Sequence, residues 1–252
     1  MTDSPRSEHY SYTVYRNPDT ASSFDRQRFG GPIGEIVGAI QARVVTDFIG
    51  PVPGRRILDV GTGTGRAALL FAAGGGIVTA IDASEEMLDE ARAKAAARSV
   101  AVAFDVGDAH ALQFSDRSFD VVVSLRVLMH TPGWKQALGE MCRVSNELVV
   151  FDYPARVSFA ALQAGARAIA ARFGSRTEAY RVFSTRQIAR ELSANGFRIR
   201  SMHRLFVLPI ALHKAIGSRP FTTWIERRLD DVGLLRVFGS PVTLVAERCA
   251  SS

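Results

Sequence analysis

Short apolar runs alternate along this chain with longer segments in which apolar residues recur every three or four positions. A run of four to eight apolar residues between turn residues is typical of a buried strand, and the longer spacing is typical of a helix. We predict strands near residues 56–60, 77–81, 100–105, 119–125, 148–151, 197–207 and 242–246. We predict helices near residues 33–49, 64–73, 85–98, 158–172 and 185–195, and a further helix that opens at Thr131.

Several predicted helix boundaries carry specific signals. Ser84 is followed by two acids, which suit the first turn of a helix. Ser184 and Gln187 resemble a capping box, and Gly196 fits the end of the helix that they open. We place Pro132 at the first position of the helix after strand four, where its missing N–H costs nothing.

The alternation of strands and helices predicts the fold class. Strands that alternate with helices at this rhythm form a parallel, doubly wound α/β sheet with helices on both faces. Crossovers between parallel strands are right-handed, so the carboxyl ends of the strands meet at one edge of the sheet. Residues 1–20 are polar, and we expect an extended or loosely held arm there.

A glycine-rich turn follows the first strand directly, in the series Asp59-x-Gly61-x-Gly63-x-Gly65. Glycine adopts positive φ and lacks a Cβ, so a ligand can lie on the backbone, and the next helix presents free N–H groups. Two acids end the next two strands, Asp82 and then, after strand three, Asp108. A carboxylate at the end of the second strand suits a ribose diol. Dinucleotide sites favour a third glycine one residue further along, which this turn lacks.

These residues, followed by the strand at 119–124, resemble the class I S-adenosylmethionine-dependent methyltransferases. Within them the chain is most similar to the small-molecule branch that includes the ubiquinone and menaquinone methyltransferases. The resemblance covers residues 35–153, and a closing strand near 240–248 also fits. It implies a Rossmann-like, mostly parallel seven-stranded sheet with an antiparallel final strand. We divide the chain into an N-terminal arm or cap at 1–32 and a methyltransferase domain at 33–252, with helical insertions at about 155–195 and 211–235.

The resemblance implies S-adenosyl-L-methionine as the cofactor. Gly61, Gly63 and Gly65 would let its methionine and ribose parts approach the chain. Asp59 would fix the loop or reach the amino group through water, although a turn or capping role is open for Asp59 and Asp108. The cofactor-binding residues implied in this way are Asp59, Gly61, Thr62, Gly63, Gly65, Asp82, Ala83, Met87, Asp108, Ala109 and Ser124.

Two residues at strand ends are candidates for the acceptor side of the site. His130 follows strand four, where many members of the resembled family carry a histidine, and an imidazole can be neutral and basic near pH 7. It would act as a base, or it would only shape the loop. Tyr153 ends strand five beside Asp152 and would orient a substrate, although a polar strand end is the simpler account of both.

Composition restricts the function. The chain has 252 residues, 47% of them hydrophobic, without a signal-like leader or an apolar run that could span a bilayer. Its two cysteines have no ligand spacing, so we expect no metal site, no disulfide framework and a cytoplasmic protein.

Charge is distributed unevenly along the chain. The net charge is +6, but residues 154–228 hold 14 Arg and Lys against 3 Glu, a local excess of +11, which leaves −5 for the other residues. Such a segment would meet an anionic substrate, a membrane surface or nucleic acid, or it is an ordinary arginine-rich surface.

The acceptor is expected to be a small or lipid-like molecule that is apolar or phenolic and receives the methyl group at oxygen or carbon. The segment 124–127 lacks the motif that holds exocyclic base nitrogens, and Cys142 lies within a predicted helix, so nucleic acid is disfavoured. An aromatic and aliphatic stripe would form a lid, a satellite core or a dimer contact; it comprises Phe221, Trp224, Ile225 and Leu229. A non-catalytic cofactor-binding module is the alternative function, and both a monomer and a homodimer fit the sequence.

Overall fold

The computed structural model describes residues 18–159 and 181–250. A seven-stranded sheet forms its centre, with strands β1 Arg56–Val60, β2 Ile77–Asp82, β3 Ala103–Val106, β4 Phe119–Ser124, β5 Ser145–Tyr153, β6 Phe197–Phe206 and β7 Ser240–Arg248. The helices are α1 Pro18–Phe29, α2 Gly31–Ile49, α3 Arg66–Ala73, α4 Glu85–Ala97, α5 Trp134–Val144, α6 Thr185–Ala194, α7 Ile210–Ile216, α8 Arg219–Asp231 and α9 Leu234–Phe238.

The strand order is β3-β2-β1-β4-β5-β7-β6. Strands β1 to β5 pair in parallel, and β7 is antiparallel to both of its neighbours. The predicted doubly wound, mostly parallel sheet with an antiparallel final strand is therefore confirmed. The strand order reverses between β1 and β4, and sheets of this kind bind ligands outside the carboxyl ends of the strands at such a reversal.

Apolar clusters cover both faces of the sheet. In β4, Val122 joins one cluster, and Val121 and Val123 join the other. The first cluster includes Leu138 of α5, and the second includes Val45 of α2. Because the central strands are buried on both faces, their sequences are continuous apolar runs rather than alternating ones.

The helix after β4 begins later than the sequence suggested. A 3-10 turn occupies Leu128–His130, and α5 starts only at Trp134. Gly133, with φ of +62°, is the residue before the helix. The prediction that Pro132 occupies the first helical position is therefore wrong. The carbonyl oxygen of Pro132 is bonded to the ring of His110, which holds this residue in the loop.

The N-terminal part of the described chain is more regular than expected. Residues 18–20, predicted to belong to an extended arm, are the first turn of α1. Residues 1–17 lie outside the described residues. Most of the helix predicted at 158–172 also lies outside them, because the description stops at residue 159 and resumes at residue 181. The helix predicted near 185–195 is α6, and Ser184 caps it by accepting a hydrogen bond from the N–H of Gln187 at 3.2 Å.

The predicted insertion between the last two strands consists of the helices α7, α8 and α9, which lie at the tip of the β6–β7 hairpin. A buried polar cluster joins them to the sheet. The carboxylate of Glu226 accepts hydrogen bonds from the N–H groups of Val207 at 2.7 Å and Leu208 at 2.9 Å, and it contacts Nε2 of His213 at 2.8 Å. This carboxylate thus accepts hydrogen bonds from two backbone N–H groups just beyond the end of β6, where pairing with β7 no longer supplies carbonyl acceptors.

Membrane-spanning helices and metal-binding clusters were both sought among the described residues. Among the described residues, no helix combines the length and the apolar character needed to cross a membrane. The same part of the chain contains no group of three or more His, Cys, Asp or Glu side chains that could hold a metal ion.

Candidate active site

A deep cleft lies at the carboxyl ends of β1, β2 and β4 and encloses about 1310 Å³ of empty space, including open solvent at its mouth. Its floor is formed by the glycine turn after β1 and by the loops after β2, β3 and β4. Its opposite wall is formed by α1 and α2, which we call the cap helices, through residues such as Phe24, Phe29 and Gln41. The cleft occupies the place where the strand order reverses, as the fold predicts.

Gly61, Gly63 and Gly65 all have positive φ, between +56° and +81°, but their surroundings differ. A Cβ on Gly61 would lie 2.4 Å from Cγ2 of Val127, so the loop after β4 can cross the turn only because Gly61 has no side chain. A Cβ on Gly63 would meet nothing within 4 Å, which leaves its backbone open. Gly65 packs against Ala91 of α4 and does not line the cleft.

Asp59 holds the glycine turn in place through hydrogen bonds. Its side chain is buried, and one carboxylate oxygen accepts hydrogen bonds from Oγ1 of Thr62 at 2.7 Å and from the N–H of Ala68 at 3.1 Å. Burial raises the pKa of Asp59 to about 6, against the opposing effect of these two hydrogen bonds. The structure therefore supports the first of the two predicted roles of Asp59, that of holding the loop, while the residue also lines the cleft.

Asp82 connects the turn after β1 with the loop after β2. One of its oxygens accepts a hydrogen bond from the N–H of Gly63 at 2.8 Å, and the other accepts one from the N–H of Ser84 at 3.0 Å. Burial raises its pKa, although these hydrogen bonds act in the opposite direction. A carboxylate has about four acceptor positions. Asp82 therefore keeps capacity for donors in the cleft, which Ala83 and Met87 line beside it.

Asp108 lies between Gly107 and Ala109, which line the cleft, and its predicted contact with the cofactor stays a prediction. Its Oδ1 accepts a hydrogen bond from the N–H of His110 at 2.9 Å and lies 2.6 Å from Nδ1 of the same residue. The buried ring of His110 also bonds to the carbonyl oxygen of Pro132. Asp108 thus joins the loops after β3 and β4 through the ring of His110.

His130 lies on the cleft wall, as predicted. It ends the 3-10 turn after β4, and its N–H donates to the carbonyl oxygen of Val127 at 2.9 Å. Leu125 and Arg126 line the cleft from the same loop. Arg126 has φ of +62°, and its N–H donates to the carboxylate of Asp152, which also accepts from the amide of Gln41 at 3.3 Å.

Ser124 and Tyr153 require correction. Ser124 is buried, and its hydroxyl donates to the carbonyl oxygen of Val60 at 2.9 Å, so it ties β4 to β1 outside the cleft. Tyr153 is fully buried in the cluster on the other face of the sheet, with its hydroxyl 3.2 Å from Oγ1 of Thr185. Successive residues of a strand point to opposite faces. Asp152 therefore faces α2 and the loop after β4, whereas Tyr153 faces away from the cleft.

Sequence reasoning missed two cations that line the cleft, Arg66 and Arg126. The guanidinium carbon of Arg66 lies 3.5 Å from the ring centroid of Phe29 on α1. Arg66 follows Gly65 directly, so its position beside the turn was a usable signal. No local pattern indicated that Phe29 would contact Arg66, because α1 reaches the cleft through contacts that are distant in sequence.

The proposed lid does not cover the cleft. None of the four residues of its stripe lines the cleft, and Trp224 is 55% exposed. Phe206, at the end of β6, supports the cap helices, because it packs in one cluster with Phe29 of α1 and Val37 of α2. Lys214 of α7 donates to the carbonyl oxygens of Gln27 and Arg28 at the end of α1, both at 2.9 Å.

Comparisons with known proteins agree with this architecture. Residues 57–147 match the family model described as a methyltransferase domain. Over 114 residues the chain is 40% identical to a demethylmenaquinone methyltransferase of Renibacterium salmoninarum, covering 44% of this chain and 46% of that protein. Over a similar stretch it is 39% identical to the ubiquinone/menaquinone biosynthesis C-methyltransferase UbiE of a Ruegeria species, again covering 46% of that protein. The chain thus spans about half the length of these curated relatives.

A solved structure extends the likeness to nearly the whole fold. The magnesium protoporphyrin IX methyltransferase of Synechocystis PCC 6803, solved with bound SAH, matches with a TM-score of 0.64 and 19% identity. The match covers 94% of this chain and 99% of that one. The resemblance stated from the sequence is confirmed for the domain at 57–147, and the structural likeness extends the same fold to the other described residues.

Proposed function

We propose that this chain, which carries a methyltransferase domain at residues 57–147, transfers a methyl group from S-adenosylmethionine to carbon or oxygen of a small acceptor. The observation that supports this most strongly is the bridge from Asp82 to the N–H of Gly63, at 2.8 Å, on the floor of the cleft. It holds an open stretch of backbone and a carboxylate with spare acceptor capacity side by side. A nucleoside with a ribose diol and a flexible amino-acid arm fits such a pair of groups.

The residues present fit the proposed cofactor. A Cβ on Gly63 would meet no protein atom within 4 Å, so the backbone there is open to a ligand. Asp82 would accept from the ribose hydroxyls, and Ala83 and Met87 would contact the adenine. When bound, S-adenosylmethionine supplies a methyl group on a sulfonium, which a nucleophile can attack in line.

The chain contributes mainly orientation and the exclusion of water. The cap helices close one side of the cleft with Phe24 and Phe29, which gives the acceptor an apolar wall. Holding two reactants in line can supply roughly 7–11 kcal/mol of a reaction barrier. We assign His130 to the acceptor side, where its imidazole would accept the proton that an acceptor hydroxyl or activated carbon loses as the new bond to the methyl carbon forms.

The lining of the cleft and the names of the relatives both support the proposed acceptor class. Phe24, Phe29, Leu125 and Val127 present apolar surface, which suits an aromatic or otherwise apolar molecule. The relatives include a protein named demethylmenaquinone methyltransferase and another named a C-methyltransferase, which favours carbon of a quinone-like ring as the acceptor atom.

The test combines binding with turnover. Purified protein is incubated with S-adenosylmethionine labelled in the methyl group and a fractionated cell extract, and mass spectrometry identifies what acquires the label. We expect a labelled small molecule and stoichiometric S-adenosylhomocysteine, with His130→Ala slowing turnover more than it weakens cofactor binding. Binding of S-adenosylhomocysteine without any labelled product would instead favour the non-catalytic module, and absence of binding would contradict the proposal.

A further inference from the structure

The guanidinium of Arg66 is held in an unusual position at the cleft. Arg66 is the first residue of α3, yet its side chain reaches across to the cap helices. Its guanidinium carbon lies 3.5 Å from the ring centroid of Phe29 on α1. On α2, a Cβ added to Gly38 would lie 2.7 Å from Nη2 of Arg66. The guanidinium is thus enclosed between an aromatic ring and a helix backbone that leaves room only because residue 38 is glycine.

This guanidinium makes no hydrogen bond and no ion pair with any residue in the described ranges 18–159 and 181–250. The carboxylate of Asp25 contributes favourable charge, but its oxygens are engaged by Oγ1 of Thr64 and Nζ of Lys94, both at 2.8 Å. Burial lowers the pKa of Arg66, and the positive charge of Arg126 acts in the same direction. Arg143 differs: its guanidinium bonds to two carboxylates and two carbonyl oxygens.

An anion that bonds to the free donors of a partly buried cation offsets the cost of its desolvation. An arginine offers five N–H donors in a planar fork that matches a carboxylate. The cleft separates charge by sign, because Asp59 and Asp82 lie on the floor, whereas Arg66 contacts the cap helices and feels the charge of Arg126. An anion is therefore favoured beside Arg66 and disfavoured near the floor.

We propose that Arg66 is the anion-binding side chain of this cleft and that it receives a carboxylate, with Phe29 and Gly38 as its positioning residues. This inference rests on the proposed function. The carboxylate belongs either to the amino-acid arm of the methyl donor or to the acceptor, and the chemistry of recognition is the same in both cases. Two binding experiments distinguish the two sources.

The first experiment compares S-adenosylhomocysteine with 5′-methylthioadenosine, which has the adenosine but lacks the carboxylate, by isothermal titration calorimetry. The proteins are wild type, Arg66→Gln and the control Arg186→Gln, a change of an exposed arginine on α6. If the donor's carboxylate is the ligand, Arg66→Gln weakens S-adenosylhomocysteine by roughly 10- to 100-fold and leaves 5′-methylthioadenosine unchanged. Arg186→Gln leaves both unchanged.

The second experiment titrates benzoate and benzyl alcohol into protein saturated with S-adenosylhomocysteine. If the acceptor's carboxylate is the ligand, wild type binds benzoate more tightly than benzyl alcohol, and Arg66→Gln loses that preference while it keeps S-adenosylhomocysteine. The proposal is overturned if neither carboxylate loses affinity in Arg66→Gln, or if both adenosine compounds weaken equally. If wild type binds neither adenosine compound, the proposed function itself fails, and this inference fails with it.

Gly38→Ala tests the same inference without removing the charge. The added Cβ would lie 2.7 Å from Nη2 of Arg66, and the flexible guanidinium would be displaced rather than the backbone. Alanine is a better helix former than glycine, so the melting temperature should stay the same or rise. We expect the affinity for the carboxylate identified above to fall by roughly 3- to 10-fold, less than in Arg66→Gln. Unchanged affinity would contradict the role of Gly38 and place the ligand elsewhere.

Discussion

The floor of the cleft is built from strand ends and the turns that follow them, whereas the facing wall is built from cap helices that long-range contacts bring into place. On the floor, Asp59 and Asp82 bond to backbone N–H groups of neighbouring loops. On the wall, α1 is held by Lys214 and by Asp25, which bond to groups far away in sequence. The floor can therefore be predicted from a motif, whereas the contacts that hold the wall in place cannot.

The floor and the wall also differ in the chemistry that they present to a ligand. The floor offers carboxylates and open backbone, which are acceptors and donors for a polar nucleoside. The wall offers aromatic rings and a cation, which suit an apolar molecule or a carboxylate. The substitutions below test whether the two sides are as independent as their construction indicates.

The largest effect is expected at the turn. In Gly61→Ala, the new Cβ would lie 2.4 Å from Cγ2 of Val127 at a residue with φ of +70°. The backbone strain and the clash together should lower the free energy of unfolding by about 3 kcal/mol, measured by urea denaturation. Gly54→Ala is the matched control, since it has φ of +74° and no atom within 4 Å of the new Cβ, and it should cost only about 1 kcal/mol. Equal costs would show that Val127 does not press on the turn.

The second effect concerns ligand affinity. Asp82→Ala removes the carboxylate that accepts from Gly63 and Ser84, and with it the proposed ribose contact. The affinity for S-adenosylhomocysteine should fall by about 100-fold, as expected for the loss of charge-assisted hydrogen bonds. Asp105→Ala, a change of an exposed carboxylate on β3, is the control and should leave the affinity within twofold. Binding that survives in Asp82→Ala would place the ribose elsewhere.

A smaller effect is expected from pH. The pKa of Asp59 is raised to about 6, mainly by burial, so the folded protein binds this proton more tightly than the unfolded chain does. The protonated Asp59 side chain therefore stabilises the folded state. This contribution is lost as the pH rises from the pKa of Asp59 in the unfolded chain to above 6, and it is regained as the pH falls. Between pH 7 and pH 5 wild type should gain about 1 kcal/mol relative to Asp59→Asn, measured by urea denaturation at each pH. A constant difference between the two proteins would contradict a raised pKa.

The smallest effect is expected in the insertion. Trp224 of α8 is 55% exposed and does not line the cleft. Trp224→Ala should leave the affinity for S-adenosylhomocysteine within twofold and cost less than about 1 kcal/mol of stability. Phe29→Ala is the contrast, because it removes a ring that lines the cleft and contacts Arg66. A strong loss of affinity in Trp224→Ala alone would revive the lid interpretation.

Several elements could be predicted from the sequence because their signals are local. The bounds predicted for β1 are those observed, and Ser84 and Ser184 cap α4 and α6 as expected. The glycine turn lies where the motif placed it, and Asp82 accepts hydrogen bonds from its backbone. Strand periodicity, capping residues and glycine spacing each depend on a few neighbouring residues.

The errors arose where a side chain's direction depends on the assembled sheet. Asp152 and Tyr153 are neighbours in β5, and only the packing of the sheet decides which of them faces the cap helices. Asp108 follows β3 as predicted, but the motif did not indicate that one of its carboxylate oxygens would bond to His110. The sequence could not reveal that Arg66 would reach Phe29, because their contact depends on how α1 docks.

The central claim is that the floor of the cleft holds the adenosyl part of S-adenosylmethionine through Asp82. A crystal structure of the protein with S-adenosylhomocysteine tests it most directly. The account predicts that both ribose hydroxyls lie within hydrogen-bond distance of the Asp82 carboxylate and that the amino-acid arm follows the open backbone at Gly63. Density for the ligand at another place, or a ribose that does not touch Asp82, would contradict it.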